Sequence, residues 1–450
     1  MVIGQESGDG GVWAGAVWRP SPGKRGAFLH ARLVETGGRG LRVRRLGGSR
    51  AGEIRLTRFL RNGAVSPEAM VAEAARLTGP RCAGRHVLAI QDTTVVRSQG
   101  GGGLYLHPVL AVDAESGAIL GLTGAAFLRR TGGRKADRRQ RPAKDKQSRR
   151  WLDGAVASVE ACQGAARLTV IADRESDIFA FFARRPAEAD LIVRAAHDRA
   201  LEDGGRLFAA IDALAVAGRA ELDLPAKPGR KARTAKVAAR FMTAHLARPR
   251  NGLAEDLPKS VDLTLVDVRE EDPPAGEAAV HWRLITTHPV ANAAEAFALA
   301  GLYRRRWCIE QLFRTLKTKG FDIEGLLIEE EAPLIRLTMA ALIAAVTIQQ
   351  LVHARDGDQG PGPLRPLTDA FEPEDQPLLE AFTAKLEGKT QRQKNPHPPG
   401  SLAYGAWVCA RLGGWTGYYG KPGPIVMLEG WLYFQAAKHG AIISRGSHNV

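Results

Sequence analysis

Three acids in a basic chain carry the most chemistry. Asp92 follows the apolar run HVLAI and Gln91, and Thr93 and Thr94 come after it. Asp173 closes a second apolar run, LTVIA. Glu310 stands alone among cations in YRRRWCIEQLFRTLK, from Tyr303 to Lys317. Carboxylates are hard oxygen donors of the kind that magnesium and manganese prefer. A carboxylate ringed by guanidinium and ammonium groups suits a phosphodiester held over a divalent ion, with the cations neutralising phosphate. On one continuous helix, at about 100° per residue, Tyr303, Arg306, Glu310, Arg314 and Lys317 share a stripe of roughly 80°. Apolar Ile309, Leu312, Phe313 and Leu316 lie beside it, so one side can pack while the other meets a partner. Each acid also has a plainer reading. An aspartate at a strand end commonly serves a turn, and Glu310 can pair with Arg306 or Arg314 at helical spacing.

The elements that must position these acids follow from periodicity and punctuation. Residues 51–84 have the apolar spacing of two helices, with Ser66-Pro67 as cap and first-turn residue of the second. HVLAI reads as a buried strand with polar residues at its end. LYLHPVLAVD, a turn at Ala114 to Gly117, and AILGLTGAAFL read as a hairpin. Trp151 to Cys162 is expected to be a helix, LTVIA a strand, Ile178 to Arg184 a helix and LIVRA another strand. This order predicts an α/β fold whose mixed sheet has helices on its faces. Residues 85–196 and 281–355 form the expected core, and residues 197–280 a β-rich insertion. Trp282 to Thr287 is its last strand, and one long helix from Asn292 carries the cationic motif. Residues 356–400 read as a linker with one short helix. SLAYGAWVCARLGG and Ile425 to Lys438 make the 356–450 region helical towards its end. Residues 1–50 are Gly- and Arg-rich without a sustained period and are expected to be irregular.

The totals narrow the class. A chain of 450 residues with net charge +15 points to a polyanionic partner, foremost nucleic acid. The basic run from Arg129 to Arg150 reads equally as a solvated loop or a direct DNA contact. Cys82, Cys162, Cys308 and Cys409 form no CxxC pair, which argues against a zinc site of the usual spacing. Reduced thiols in the cytoplasm are the default. The apolar run from Leu337 to Val352 is interrupted by Thr338, Thr347, Gln349 and Gln350. It is shorter than a bilayer requires, so a buried helix is expected and no membrane partner.

Tyr303, Arg306, Glu310 and Lys317 match the spacing Tyr-x2-Arg-x3-Glu-x6-Lys. With AIQDTT at Ala89 to Thr94 and ADRESD at Ala172 to Asp177, the chain resembles a DDE transposase of the insertion sequence four family, the group of the transposon five transposase. The resemblance runs from about residue 51 to the C-terminus and includes FLRNGAVSPEAM and ARLGG. It implies a ribonuclease H-like core interrupted by a β insertion, a bacterial cytoplasmic protein, and double-stranded DNA as partner. It implies that Asp92, Asp173 and Glu310 hold two magnesium ions, for which manganese can substitute. Arg306, Lys317 and Tyr303 would contact phosphates, and Arg314 stands where the relative has a lysine. Arg194 matches an active-site arginine. Trp282 matches a tryptophan that stacks on a flipped base; without that match it reads about equally as a core tryptophan beside the sheet. In ADRESD, Glu175 and Asp177 are open to a structural role, since both can cap the helix that follows. A homodimer on paired DNA ends, supported by the C-terminal helices, is a further implication; on pattern alone Trp407, Val408 and Leu412 read equally as dimer contacts or as ordinary core. Residues 1–50 depart from the end-binding domain with which family members begin. Competing expectations are a structure-selective nuclease and a DNA-binding relic that folds without transposing.

Overall fold

Ser49 and Ser66 begin the first two long helices by the same device. Their hydroxyls accept from the N–H of Gly52 and Ala69, satisfying donors that a helix start leaves open. The computed structural model describes residues 41, 43–47, 49–99, 102–130, 148–225, 231–250, 257–317, 320–357, 364–418 and 420–446. Helices α1 (Val43–Gly47), α2 (Arg50–Arg61) and α3 (Pro67–Cys82) open the described chain. The short α1 lies within the stretch expected to be irregular, and its Leu46 is fully buried. Residues 1–40 of that stretch, and 131–147 of the basic run, lie outside the described residues.

The strands are β1 (His86–Gln91), β2 (Thr94–Gln99), β3 (Gly102–Asp113), β4 (Ile119–Arg130), β5 (Arg167–Ala172), β6 (Ala189–Arg194), β7 (Gly218–Leu224), β8 (Arg233–Ala247), β9 (Ser260–Glu270) and β10 (His281–Thr286). All ten join one mixed sheet. β3 pairs antiparallel with β1 through its second half and with β2 through its first half. β1 and β2 therefore lie end to end along one side of β3, with Asp92 and Thr93 at the break, while β4 takes the other side. β1, β5 and β6 are parallel neighbours. β10 then joins β6 antiparallel, and β9, β8 and β7 continue as a meander. The β-rich insertion is thus an extension of the core sheet. In β7, the outermost strand on that side, exposed Arg219, Glu221 and Asp223 alternate with partly buried Ala220 and Leu222.

Alternation sorts β1 between two cores. Leu88 and Ile90 face a core shared with Phe59, Leu342 and Trp407, whereas Val87 and Ala89 face one with Trp151, Phe181 and Phe182. The helices involved are α4 (Arg149–Ala161), α5 (Phe179–Arg184), α6 (Leu207–Asp212), α7 (Ala293–Arg304), α8 (Trp307–Leu316), α9 (Glu331–Ala354), α10 (Gln376–Leu386), α11 (Leu402–Leu412) and α12 (Pro424–Gly446). α9 is long and apolar enough to cross a membrane by composition, yet 83% of its apolar window is buried inside the protein.

Two expectations need correction. The single helix through Tyr303 to Lys317 is two helices, broken at Arg305 and Arg306. The N–H of Arg306 donates to Tyr303 O (3.0 Å) and that of Ile309 to Arg306 O (3.1 Å), the tighter i to i+3 pattern. The linker read in residues 356–400 is packed structure where described. Leu367, Phe371 and Leu379 are buried, and Phe371 meets Trp431 and Phe434 edge to face. Trp407 and Val408, weighed equally as dimer contacts or ordinary core, are buried within their own chain, in line with the core reading. The cysteines lie apart in sequence, but Cys82 and Cys162 come together at 3.3 Å between sulfurs, as free thiols.

Candidate active site

Strand register brings the two aspartates together. Ile90 pairs with Ile171, and Ala172 with Val193. Carried past the last paired residues, these registers set Asp92 opposite Asp173, and Asp173 opposite Arg194. The row lies at the carboxyl ends of three parallel strands, the usual place for a ligand on an α/β sheet. Asp92 Oδ1 accepts from the Thr93 N–H at 2.7 Å. Asp173 Oδ1 accepts from the Glu175 N–H at 3.0 Å and caps the turn Arg174–Ser176. The plain role of Asp173 and the chemical one are therefore compatible, because one oxygen suffices for the cap.

Glu310 reaches this row through Arg306. The Arg306 guanidinium donates to Asp92 Oδ2 at 2.8 Å and to Glu310 Oε1 at 2.6 Å. Burial pushes the Asp92 carboxyl up to about 6; the charge of Asp173 adds to this and Arg306 opposes it. Burial works against the Arg306 cation as well, but Tyr303, Asp92 and Glu310 outweigh it and its pKa is raised. Tyr303 is buried, and its hydroxyl makes no hydrogen bond of ordinary geometry within the described residues. Burial raises the Tyr303 pKa, with Arg306 and Arg194 acting the other way. An orphaned hydroxyl beside two guanidinium groups fits an incoming oxyanion better than a closed core.

Three carboxylates offer the hard oxygens that a divalent cation takes, and here the Arg306 cation lies between two of them. Among the described residues the three do not converge into a ready metal-binding group. Asp92 and Glu310 are instead spaced by the guanidinium that joins them.

The remaining expected residues divide. Arg194 donates to the His281 carbonyl at 3.1 Å, at the same sheet end. Trp282 is the second residue of β10, two before Leu284, which pairs with Arg194, and it is half-buried against the core. Arg314 is exposed, and no described carboxylate pairs with it. Lys317 caps the end of α8 and pairs with Glu324 at 2.7 Å, so it is engaged within the chain. Asp177 does not cap the helix that follows, whose N-terminal cap position is Ile178. It is buried and accepts from the N–H groups of Ala196 and His197 and from Arg199, which pins the chain after β6. Glu175 pairs with Arg150 instead of capping.

Two features escaped the sequence reading. Trp307 is 53% exposed beside Arg306, and an aromatic in a helical apolar pattern gives no sign that it points outward. Arg150 is buried, whereas its place in a run of cations suggested solvent or DNA. It donates to Thr93 Oγ1 at 3.1 Å, next to His107, whose pKa burial and Arg150 push down to about 3. No protein-family model matches the chain.

Proposed function

We propose that the chain is a cut-and-paste DNA transposase of the DDE class, similar to the insertion sequence four family. One observation carries the reading: a single guanidinium, Arg306, bonds Asp92 from the sheet and Glu310 from α8, while Asp92 shares a row with Asp173 and Arg194. Strand order supports a ribonuclease H-like core. β4, β3, β1, β5 and β6 lie side by side, the first three antiparallel and the last three parallel. A β-rich segment enters between β6 and the helix that bears the third acid, as the resemblance implies.

On this reading Asp92, Asp173 and Glu310 would hold two magnesium ions, or manganese in their place. Such ions, when bound, activate the attacking oxygen and stabilise the leaving one. The chain's own residues bind and orient the DNA. Arg194, Arg306 and exposed Arg314 neutralise phosphate, and Lys317 joins them by leaving Glu324. The Tyr303 hydroxyl donates to a phosphate oxygen. The Trp282 indole offers a face to a base displaced from the duplex. The reaction begins with hydrolysis of one strand at the element's end. The freed 3′-hydroxyl attacks the opposite strand to give a hairpin, which opens before transfer into target DNA. A homodimer on paired ends would use groups still open on α12, such as Ile425 and Tyr433, because Trp407 and Val408 are enclosed.

The test is nicking of DNA that carries the element's terminal repeats, in magnesium. Asp92→Asn should abolish nicking and leave DNA affinity within about two-fold, since phosphate contacts dominate affinity. Full magnesium-dependent nicking by Asp92→Asn would overturn the assignment.

A further inference from the structure

Asp92 is flanked by two residues that are themselves held. Gln91 and Thr93 both belong to a chain of hydrogen bonds that starts and ends on α4. Arg150 Nε donates to Thr93 Oγ1 at 3.1 Å. Thr93 Oγ1 meets His107 Nδ1 at 2.9 Å, and His107 Nε2 meets Gln91 Oε1 at 3.0 Å. Gln91 Nε2 donates to the carbonyl of Trp151 at 3.1 Å. Donor inventory sets one direction around this circuit. The amide oxygen of Gln91 can only accept, so His107 Nε2 carries the proton and Nδ1 accepts from the threonine hydroxyl. That hydroxyl's oxygen then takes the arginine N–H. The circuit closes on the residue beside Arg150, and its members support one another in a setting with little water.

Arg150 has a second arm. Its Nη2 donates to Glu175 Oε2 at 2.6 Å. Glu175 lies two residues after Asp173, whose carboxylate caps the Glu175 N–H. One guanidinium, 5% exposed, thus ties the turn after Asp92 to the turn after Asp173. It lies face-on near the Trp151 ring, 4.8 Å from its centroid, which limits its freedom to swing. Only a planar fork with several fixed donors serves both acceptors in this way.

We propose that Arg150 is a positioning residue that sets the distance and facing of Asp92 and Asp173. The proposal rests on the reading that these two acids hold a divalent cation. Arg150 acts through Thr93, which follows Asp92, and Glu175, two residues after Asp173.

The test measures Mn2+ binding by the full chain without DNA, from the paramagnetic resonance of the free ion. Arg150→Met should weaken binding by roughly 10–100-fold, the range seen when outer partners of a ligand are lost. Glu175→Gln should weaken it less, and the double variant should be no weaker than Arg150→Met alone, because both remove one path. Arg150→Lys should fall between, since an ammonium group reaches one acceptor but not both. Hydrogen exchange at the amides of residues 93–94 and 175–177 should quicken in Arg150→Met while β3 and β5 keep their protection. Should Arg150→Met fail to fold, Glu175→Gln decides, because that side chain is 55% exposed and its loss leaves the core intact. Parent-like Mn2+ affinity in the folded Arg150 and Glu175 variants, beside a loss in Asp92→Asn, would overturn the strap and leave the metal reading standing. No Mn2+ binding by the parent chain, or none lost in Asp92→Asn, would overturn both.

Discussion

Asp92 is a carboxylate kept where its charge is disfavoured. Its pKa lies near 6, first because it is buried and then because Asp173 is close. An unfolded aspartate titrates near 4. A group whose folded pKa is raised stabilises the fold below its unfolded pKa, and that benefit is lost as pH rises through the folded value. Above about pH 6 the metal-free protein therefore carries a charge that opposes folding. Asp92→Asn removes it. In chelator-treated protein the variant should melt above the parent at neutral pH, by on the order of 1–3 kcal/mol. The gap should close as pH falls from about 6 to about 4. Equal melting temperatures across that range would show that Arg306 already cancels the cost. A residue whose removal stabilised the fold and ended the proposed reaction would be a functional compromise of a familiar kind.

At the scale of elements, α4 can support the Asp92 turn only because one of its positions lacks a side chain. A Cβ at Gly154 would come within 2.4 Å of Gln91 Oε1 and 3.0 Å of a Val109 methyl. Gly154→Ala should therefore push Gln91 out of its bond to Trp151, cost about 1–3 kcal/mol by overpacking, and slow nicking without weakening DNA binding. Thermal melts and gel shifts check the two parts separately. Much of this level was legible in the sequence. The apolar runs HVLAI, LTVIA and LIVRA form β1, β5 and β6, and Ser66-Pro67, Asn292 and Ser401 begin helices as their chemistry demands. What stayed hidden depends on distant partners. β2 owes its existence to the surplus length of β3, which TVVRSQ cannot announce by itself. The break at Arg305 and Arg306 falls among good helix formers, so no local preference marks it. Leu367, Phe371 and Leu379 are spaced through Pro- and charge-rich text whose composition resembles a linker. Arg150 sits among cations of the same type, and only burial distinguishes it.

For the molecule as a whole, the sheet is the frame. Because β10 pairs with β6 on one side and β9 on the other, the insertion continues the same sheet whose β1 and β5 lead into Asp92 and Asp173. Native-state hydrogen exchange should find β9 and β10 opening together with β5 and β6 in one cooperative unit; earlier opening of β9 and β10 would mark a separately hinged module. A sheet built this way also ends somewhere, and among the described residues β7 has no strand on its far side. Such a margin invites other chains to add strands. Here it is spiked with charge. Arg219 is tied to Glu271, and Glu221 and Asp223 also face outward. Replacing Arg219 and Glu221 together by valine would leave the fold's interior untouched and turn the margin into a template for growth. On warming, the double variant should scatter light and bind an amyloid dye at concentrations where the parent stays clear; a clear solution would mean that α7 and Arg304, which donates to the Asp223 carbonyl, already shield the edge from fibre formation.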